Sequence, residues 1–198
     1  NSLNTIHLNA STVGSYDLNI VCKTNDTLEK IYNNFFELIF LIGQDNFSFN
    51  KKNEFIVYIG SHGDKGAEMA DLILPGAAFT EQDGYFTNLE GKLQMAFKAS
   101  YPPGEAKEDW VIINEISKLI HNDILFKDKD ELVSKMRNYL SFSKKDELSS
   151  LFKEEYISEK IFTLPIDYYH SNVIARSSKT MNECRNIRTK IKKTGTEG

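Results

Sequence analysis

Residues Phe55 to Gln94 read FIVYIGSHGDKGAEMADLILPGAAFTEQDGYFTNLEGKLQ. The stretch opens on a fully apolar run, Phe55 to Ile59, which ends in a loop carrying Gly60, Gly63 and Gly66. A second apolar run, Leu72 to Leu74, ends at Pro75-Gly76. Short apolar runs without polar alternation mark strands buried on both faces, as in a parallel sheet. Open α/β sheets take their ligands at the loops that leave the carboxyl ends of such strands. The stretch therefore predicts an α/β sheet. It has a candidate cleft at the glycine loop and at the acidic, turn-rich loop around Glu81, Asp83 and Gly84.

Toward the N-terminus the winding continues. Leu28, Ile31, Tyr32 and Phe35 recur at the spacing of one helical face, which predicts a helix over Thr27 to Phe35. Leu38 to Ile42 reads as a buried strand ending at Gly43-Gln44-Asp45. Residues 1–24 are polar and Asn-rich, with Leu18 to Cys22 the one candidate strand.

Toward the C-terminus, Tyr101-Pro102-Pro103-Gly104 breaks the pattern and leads into a predicted helix from Glu105 to His121, acidic in its first turn. Trp110, Ile113, Ile116, Ser117 and Ile120 mark one face, and Val111, Ile112 and Leu119 widen it, so the whole arc should pack on the sheet. Leu132, Val133, Met136, Tyr139 and Leu140 form an amphipathic helix. Ser143 with Asp146 resembles a capping box, and Ile161 to Ile166 reads as an edge strand or extended segment. Residues 167–184 show no regular period and read as a segment lying across a neighbouring surface. Arg185 to Lys193 carries five basic residues and no acid.

Composition narrows the function classes. A net charge of −4 and a pI near 5.6 argue against a nucleic-acid protein, which would show a basic face. The longest apolar run, Phe35 to Gly43, is interrupted by Glu37 and falls short of the roughly 18–20 apolar residues of a membrane-spanning helix. The two cysteines, Cys22 and Cys184, make no disulfide framework and cannot supply the four ligands of an iron–sulfur cluster. They read as buried, reduced thiols. The heavy use of Asn, Lys, Ile and Phe is what an AT-rich genome would write.

The candidate site residues lie in the two loops. Gly60, Gly63 and Gly66 follow the spacing G-x-x-G-x-x-G, which is neither a dinucleotide fingerprint nor a phosphate-binding P-loop. The glycines make either a tight turn into a short helix over Ala67 to Ala70 or a close approach to a cofactor, and the turn is the favoured reading. Ser61, His62 and Asp64 sit in the same loop; with no other His or Cys near, His62 and Asp64 read as a hydrogen-bonded pair rather than a metal site. Thr80 to Gly84 places Glu81 and Asp83 beside a glycine turn. Paired carboxylates do acid–base work, but here no His or Lys partners them locally, and holding the turn is the favoured reading.

From Tyr58 to Gln94 the chain resembles the C-terminal part of the large iron–sulfur subunit of respiratory complex I, a part that descends from molybdopterin oxidoreductases. The phrase ADxILPGAAxTExDGxxxNxEGxxQ stands intact at Ala70-Asp71, Leu74 to Ala78, Thr80-Glu81, Asp83-Gly84, Asn88, Glu90-Gly91 and Gln94. Pro102-Pro103-Gly104, Glu105, Glu108 and Trp110 continue it. Gly60-Ser61-His62-Gly63-Asp64 and the ending Ile174 to Cys184, IARSSKTMNEC, direct the resemblance to complex I rather than to a molybdenum enzyme.

The resemblance implies a partial doubly wound, mostly parallel α/β sheet of the molybdopterin-oxidoreductase type over residues 1–124. A helical region and extended tail follow over 125–198. It implies no catalytic residue and no cofactor on this chain. Gly60, Ser61, His62, Gly63, Thr80, Glu81, Asp83 and Gly84 become vestigial cleft loops, and iron–sulfur clusters and FMN are expected elsewhere in the complex. The expected partners are other complex I subunits, above all the cysteine-rich N-terminal half of the large subunit, with no nucleic acid and no direct membrane insertion. The chain itself would be the C-terminal portion, separately encoded or split. The expected location is the matrix-side arm at the mitochondrial inner membrane, or the cytoplasmic side of a bacterial plasma membrane. Two further readings remain open at this point: a fragment of an active molybdopterin or tungstopterin enzyme of the formate dehydrogenase kind, and an independent α/β binding domain.

Overall fold

The computed structural model describes residues 7, 9–10, 12–20, 26–143 and 167–193. Its centre is a sheet in the order β1 (Leu38–Ile42), β2 (Phe55–Gly60), β3 (Leu72–Pro75), with both pairings parallel. Leu38 pairs with Phe55, and Val57 with Leu72. Two helices, α1 (Thr12–Asp17) and α2 (Asp26–Tyr32), precede the sheet, and α3 (Lys65–Met69) joins β2 to β3. The architecture is the mostly parallel α/β sheet of the sequence reading, followed by a helical C-terminal region.

Register and burial define two faces. Ile39, Leu41, Ile56 and Tyr58 form a buried cluster on the first face, covered by Ile31 of α2, by Phe47 and Phe49 of the β1–β2 connection and by Ala67 and Met69 of α3. Ile56, Tyr58 and Ile59 are the largest fully enclosed side chains, and each such burial stabilises the fold by about 1.5–3 kcal/mol. On the second face, Val57 and Ile59 pack against Ile112 and Ile116 of helix α4 (Asp109–His121). Leu74 of β3 joins the same cluster, while Leu72 is 44% exposed. On the same face Leu38, Phe40 and Ile42 of β1 are 52%, 42% and 42% exposed, and Phe55 beside them is 49% exposed.

After β3 the chain forms an antiparallel hairpin of β4 (Gly84–Thr87) and β5 (Leu93–Ala96), which the sequence reading does not contain. The Asn88 side-chain oxygen accepts from the amides of Glu90 and Lys92, closing the turn in the manner of an Asx motif. Helix α4 begins at Asp109, four residues later than expected, because Lys107 lies in an isolated parallel bridge to Gly76 and its backbone is drawn out along the sheet. Leu119 and Ile120, expected on the sheet, are instead 87% and 68% exposed, since α4 outruns the sheet. Helix α5 (Lys129–Ser143) half-buries Leu132, Val133, Met136 and Leu140 of the predicted face, while Tyr139 is exposed.

Two readings at the chain's ends need correction. Leu18, Asn19 and Ile20 are not a strand: they leave α1 through a turn in which Asn19 takes a left-handed backbone, φ 54°. Residues 167–184, which read as having no regular period, are helical: they form a 3-10 turn (Tyr168–His170), helix α6 (Val173–Ser177) and the start of helix α7 (Lys179–Lys193). Their polar–aromatic mixture hides the periodicity because α6 is short and its start is set by a cap, the Asn172 side chain accepting from the Ala175 amide. The capping box at Ser143 and Asp146, the short helix after it and the strand at Ile161 to Ile166 fall partly or wholly outside the described residues.

Gly66 is constrained by packing. A Cβ there would stand 2.5 Å from the Gln44 carbonyl oxygen and 3.2 Å from the Tyr58 ring, whereas at Gly63 nothing lies within 4 Å. Gly66→Ala should therefore lower stability by about 1–3 kcal/mol, an overpacking cost. Gly63→Ala should stay within about 0.5 kcal/mol of wild type. Urea-unfolding midpoints of the two variants check both.

Candidate functional site

The carboxyl ends of β1 and β2 carry the loops where a parallel sheet would hold a ligand. Two carboxylates stand there. Asp45 follows β1, and Asp64 follows β2 and caps α3, one of its oxygens accepting from the Lys65 amide at 2.9 Å. Between them lies the guanidinium of Arg176, from α6. Its Nε donates to the second oxygen of Asp64 at 2.9 Å, its Nη2 donates to Asp45, and its Nη1 donates to the His170 carbonyl at 3.4 Å. All three side chains are less than a quarter exposed.

Beneath this ion pair lies Tyr58, whose hydroxyl donates to the His62 carbonyl at 2.8 Å. Its ring fills the space that a side chain at Gly60 would need, since a Cβ there would run into the phenol oxygen. Burial, then the charges of Asp45 and Asp64, pushes the Tyr58 phenol up from its ordinary value. Asp64 is held below the usual carboxylate range, first by the Lys65 amide, with Arg176 adding to it against the opposing effect of burial. His62 and Asp64 do not pair with each other: the His62 ring meets the Ser61 hydroxyl at 2.9 Å. Gly63 is exposed at the loop's outer turn. In the sequence Arg176 is visible only as part of a motif; its role is not legible there, because its partners lie 131 and 112 residues away.

The second candidate loop lies after β3. Glu81 accepts from the Ala78 amide at 2.9 Å, and Thr80 is exposed, its carbonyl accepting from Ala99 and Ser100. Asp83 accepts from the Lys98 amide at 2.8 Å and faces Lys129 of α5, whose ammonium also meets Glu108 at 2.7 Å. Gly84 opens β4. The Lys98 amide, then the Lys129 charge, holds Asp83 below the ordinary range. Both carboxylates thus hold backbone in place. Asp109, at the start of α4, is different. Burial pushes its carboxyl up, the neighbouring charge of Glu108 adds to this, and a hydrogen bond with Gln82 opposes it. Among the described residues no group of three or more His, Cys, Asp or Glu could hold a metal ion, and Cys184 is half-buried. No helix among them is long and apolar enough to cross a membrane.

Comparison with known proteins sets this geometry in a lineage. A family model described as molybdopterin oxidoreductase matches residues 1–119. The chain belongs to the molybdopterin oxidoreductase family. A second model, described as the C-terminal part of the NADH-ubiquinone oxidoreductase G subunit, matches residues 136–184. The NADH-quinone oxidoreductase G subunit of Rickettsia bellii is 39% identical, over 91% of this chain and 27% of its own length. The NADH-ubiquinone oxidoreductase 75 kDa subunit of Reclinomonas americana is 35% identical, over 94% of this chain and 29% of its own length. The mitochondrial 78 kDa subunit of Candida albicans is 33% identical, over 93% and 27%. The chain therefore spans little more than a quarter of the relatives it matches. Within the family its likeness is to these complex I subunits, as the sequence resemblance had it.

The family name implies a pterin cofactor, which carries a phosphate. The crevice at the ends of β1 and β2 does not fit one. Two carboxylates line it, an arginine of the same chain lies between them, and the backbone at Gly60 and Gly66 is closed by Tyr58 and the Gln44 carbonyl.

The depressed Asp64 links this crevice to pH. A carboxylate whose folded value lies below the unfolded one, about 3.9, stabilises the fold in full above about pH 5 and loses that contribution as pH falls through the folded value. Melting temperatures measured from pH 7 to pH 3 should fall steeply below about pH 4 in the wild type. Asp64→Asn should melt lower at pH 7 and show a shallower acid limb.

Proposed function

We propose that the chain is a structural part of the hydrophilic arm of respiratory complex I. In this reading it supports electron transfer from NADH to quinone without carrying a cluster or performing a step. The observation that carries this reading is the uncovered second face of β1. A parallel sheet is stable when both faces are covered, and large exposed apolar patches mark sites of association. Leu38, Phe40, Ile42 and Phe55 form such a patch on one face of the sheet, and Leu119 and Ile120 extend the sheet-facing stripe of α4 beyond it. The outer edge of β1 also lacks a described strand partner, so a further strand has a place to add.

The partner that fits is the remainder of the large subunit, because the relatives named above are more than three times as long as the stretch this chain matches. Its cysteine-rich N-terminal half would bring the iron–sulfur clusters that two cysteines cannot hold. FMN would sit on another subunit. Residues 1–124 would form the sheet domain and 125–198 the helical region closing it, on the matrix side of the mitochondrial inner membrane or the corresponding bacterial side.

Purification of the native protein, with mass spectrometry of its companions and metal analysis, tests the reading. Complex I subunits with iron and without molybdenum or tungsten are expected; molybdenum or tungsten with pterin and no complex I subunit would overturn it. Phe40→Asp should abolish recovery of the companions while changing the chain's own secondary structure little.

A further inference from the structure

We propose that the crevice at the carboxyl ends of β1 and β2 is a guanidinium site, and that the chain's own C-terminal module supplies its occupant, Arg176. The proposal holds whichever assembly the chain joins.

Three observations carry it. The first is the form of the contact. Asp45 and Asp64 come from two separate loops, and one planar guanidinium meets both through different nitrogens while a third nitrogen reaches the His170 carbonyl. A guanidinium offers five donors in a fixed fork, which an ammonium cannot reproduce. The second is enclosure. An exposed ion pair contributes little, but these side chains are less than a quarter exposed, and Ala175 next to Arg176 is buried. The third is positioning of the donor. The Asn172 side chain caps the start of α6, the Asn182 side-chain amide donates to the carbonyls of Arg176 and Ser178, and the His170 ring meets the Asn182 oxygen at 2.8 Å. Arg176 is held from both sides before it reaches the sheet.

The same residues exclude the ligands that open α/β sheets ordinarily take at this place. An anion entering between β1 and β2 would meet two carboxylates. The amide of Lys65, at the start of α3, is taken by Asp64 itself. The two family matches meet at this contact: Asp45 and Asp64 lie in the molybdopterin-oxidoreductase part, Arg176 in the part matched by the complex I C-terminal model. The C-terminal part thus closes the strand ends of the sheet with a cation of its own.

Amide hydrogen exchange by mass spectrometry, on the full chain purified with its companions, tests the proposal. Arg176→Ala should raise exchange about tenfold in peptides covering 60–66 and 173–182, a local opening that leaves β2 protected. Millimolar ethylguanidinium should restore at least half of that protection, propylammonium clearly less, and inorganic pyrophosphate none. Should Arg176→Ala fail to fold, Arg176→Lys and Asp45→Asn replace it, each expected to give a smaller rise in the same peptides. Unchanged exchange in these variants would overturn the proposal, as would equal rescue by propylammonium or protection of the wild type by pyrophosphate.

Discussion

A parallel sheet has two apolar faces, and the described helices cover each of them only in part. This shortfall governs the molecule. Helices α2 and α3, with the Phe47–Phe49 connection, cover the first face over β1 and β2, and α4 covers the second over β2, while Ile73 and Leu72 of β3 stay half-exposed. Over β1 the second face stays part-open, with three of its five side chains 42–52% exposed. The sequence of β1, LIFLI, is apolar at every position and so is written for burial on both sides. An isolated chain that keeps such a strand half in water is incomplete as a fold, which ties its stability to whatever covers it.

The carboxylates around the strand ends follow a common rule. Asp45, Asp64, Asp71, Glu81 and Asp83 each contact a cation or a backbone amide. Asp71 is the plainest case: it accepts from the Ile56 amide at the start of β2 and pairs with Lys51, which holds its carboxyl low. Acids so engaged fix the backbone around them. In both candidate loops the carboxylates hold backbone amides in place.

Much of this was legible in the sequence. The limits of β1 and the starts of β2 and β3 followed from unbroken apolar runs, and the turn at Thr80–Gly84 from its acids and glycine. What was not legible was non-local or set by caps. The β4–β5 hairpin escaped because its strands are short and Asn88 closes a five-residue loop rather than a two-residue one. The start of α4 was displaced by the Lys107–Gly76 bridge, a tertiary contact overriding a good helical sequence. The Arg176 contact joins residues that no local window contains. The resemblance singled out IARSSKTMNEC as a family mark, but only the folded chain gives it a physical task.

The Arg176 clasp has a consequence for the order in which the chain is made. Its partners lie 112 and 131 residues upstream, so closing it is among the costliest loop closures in the molecule and among the last to be rewarded. On the ribosome the sheet is assembled from contacts within a short stretch of chain, while α6 is still unsynthesised. The strand ends stay open until Arg176 has been made. A chain that lacks Arg176 presents two facing carboxylates with no guanidinium between them.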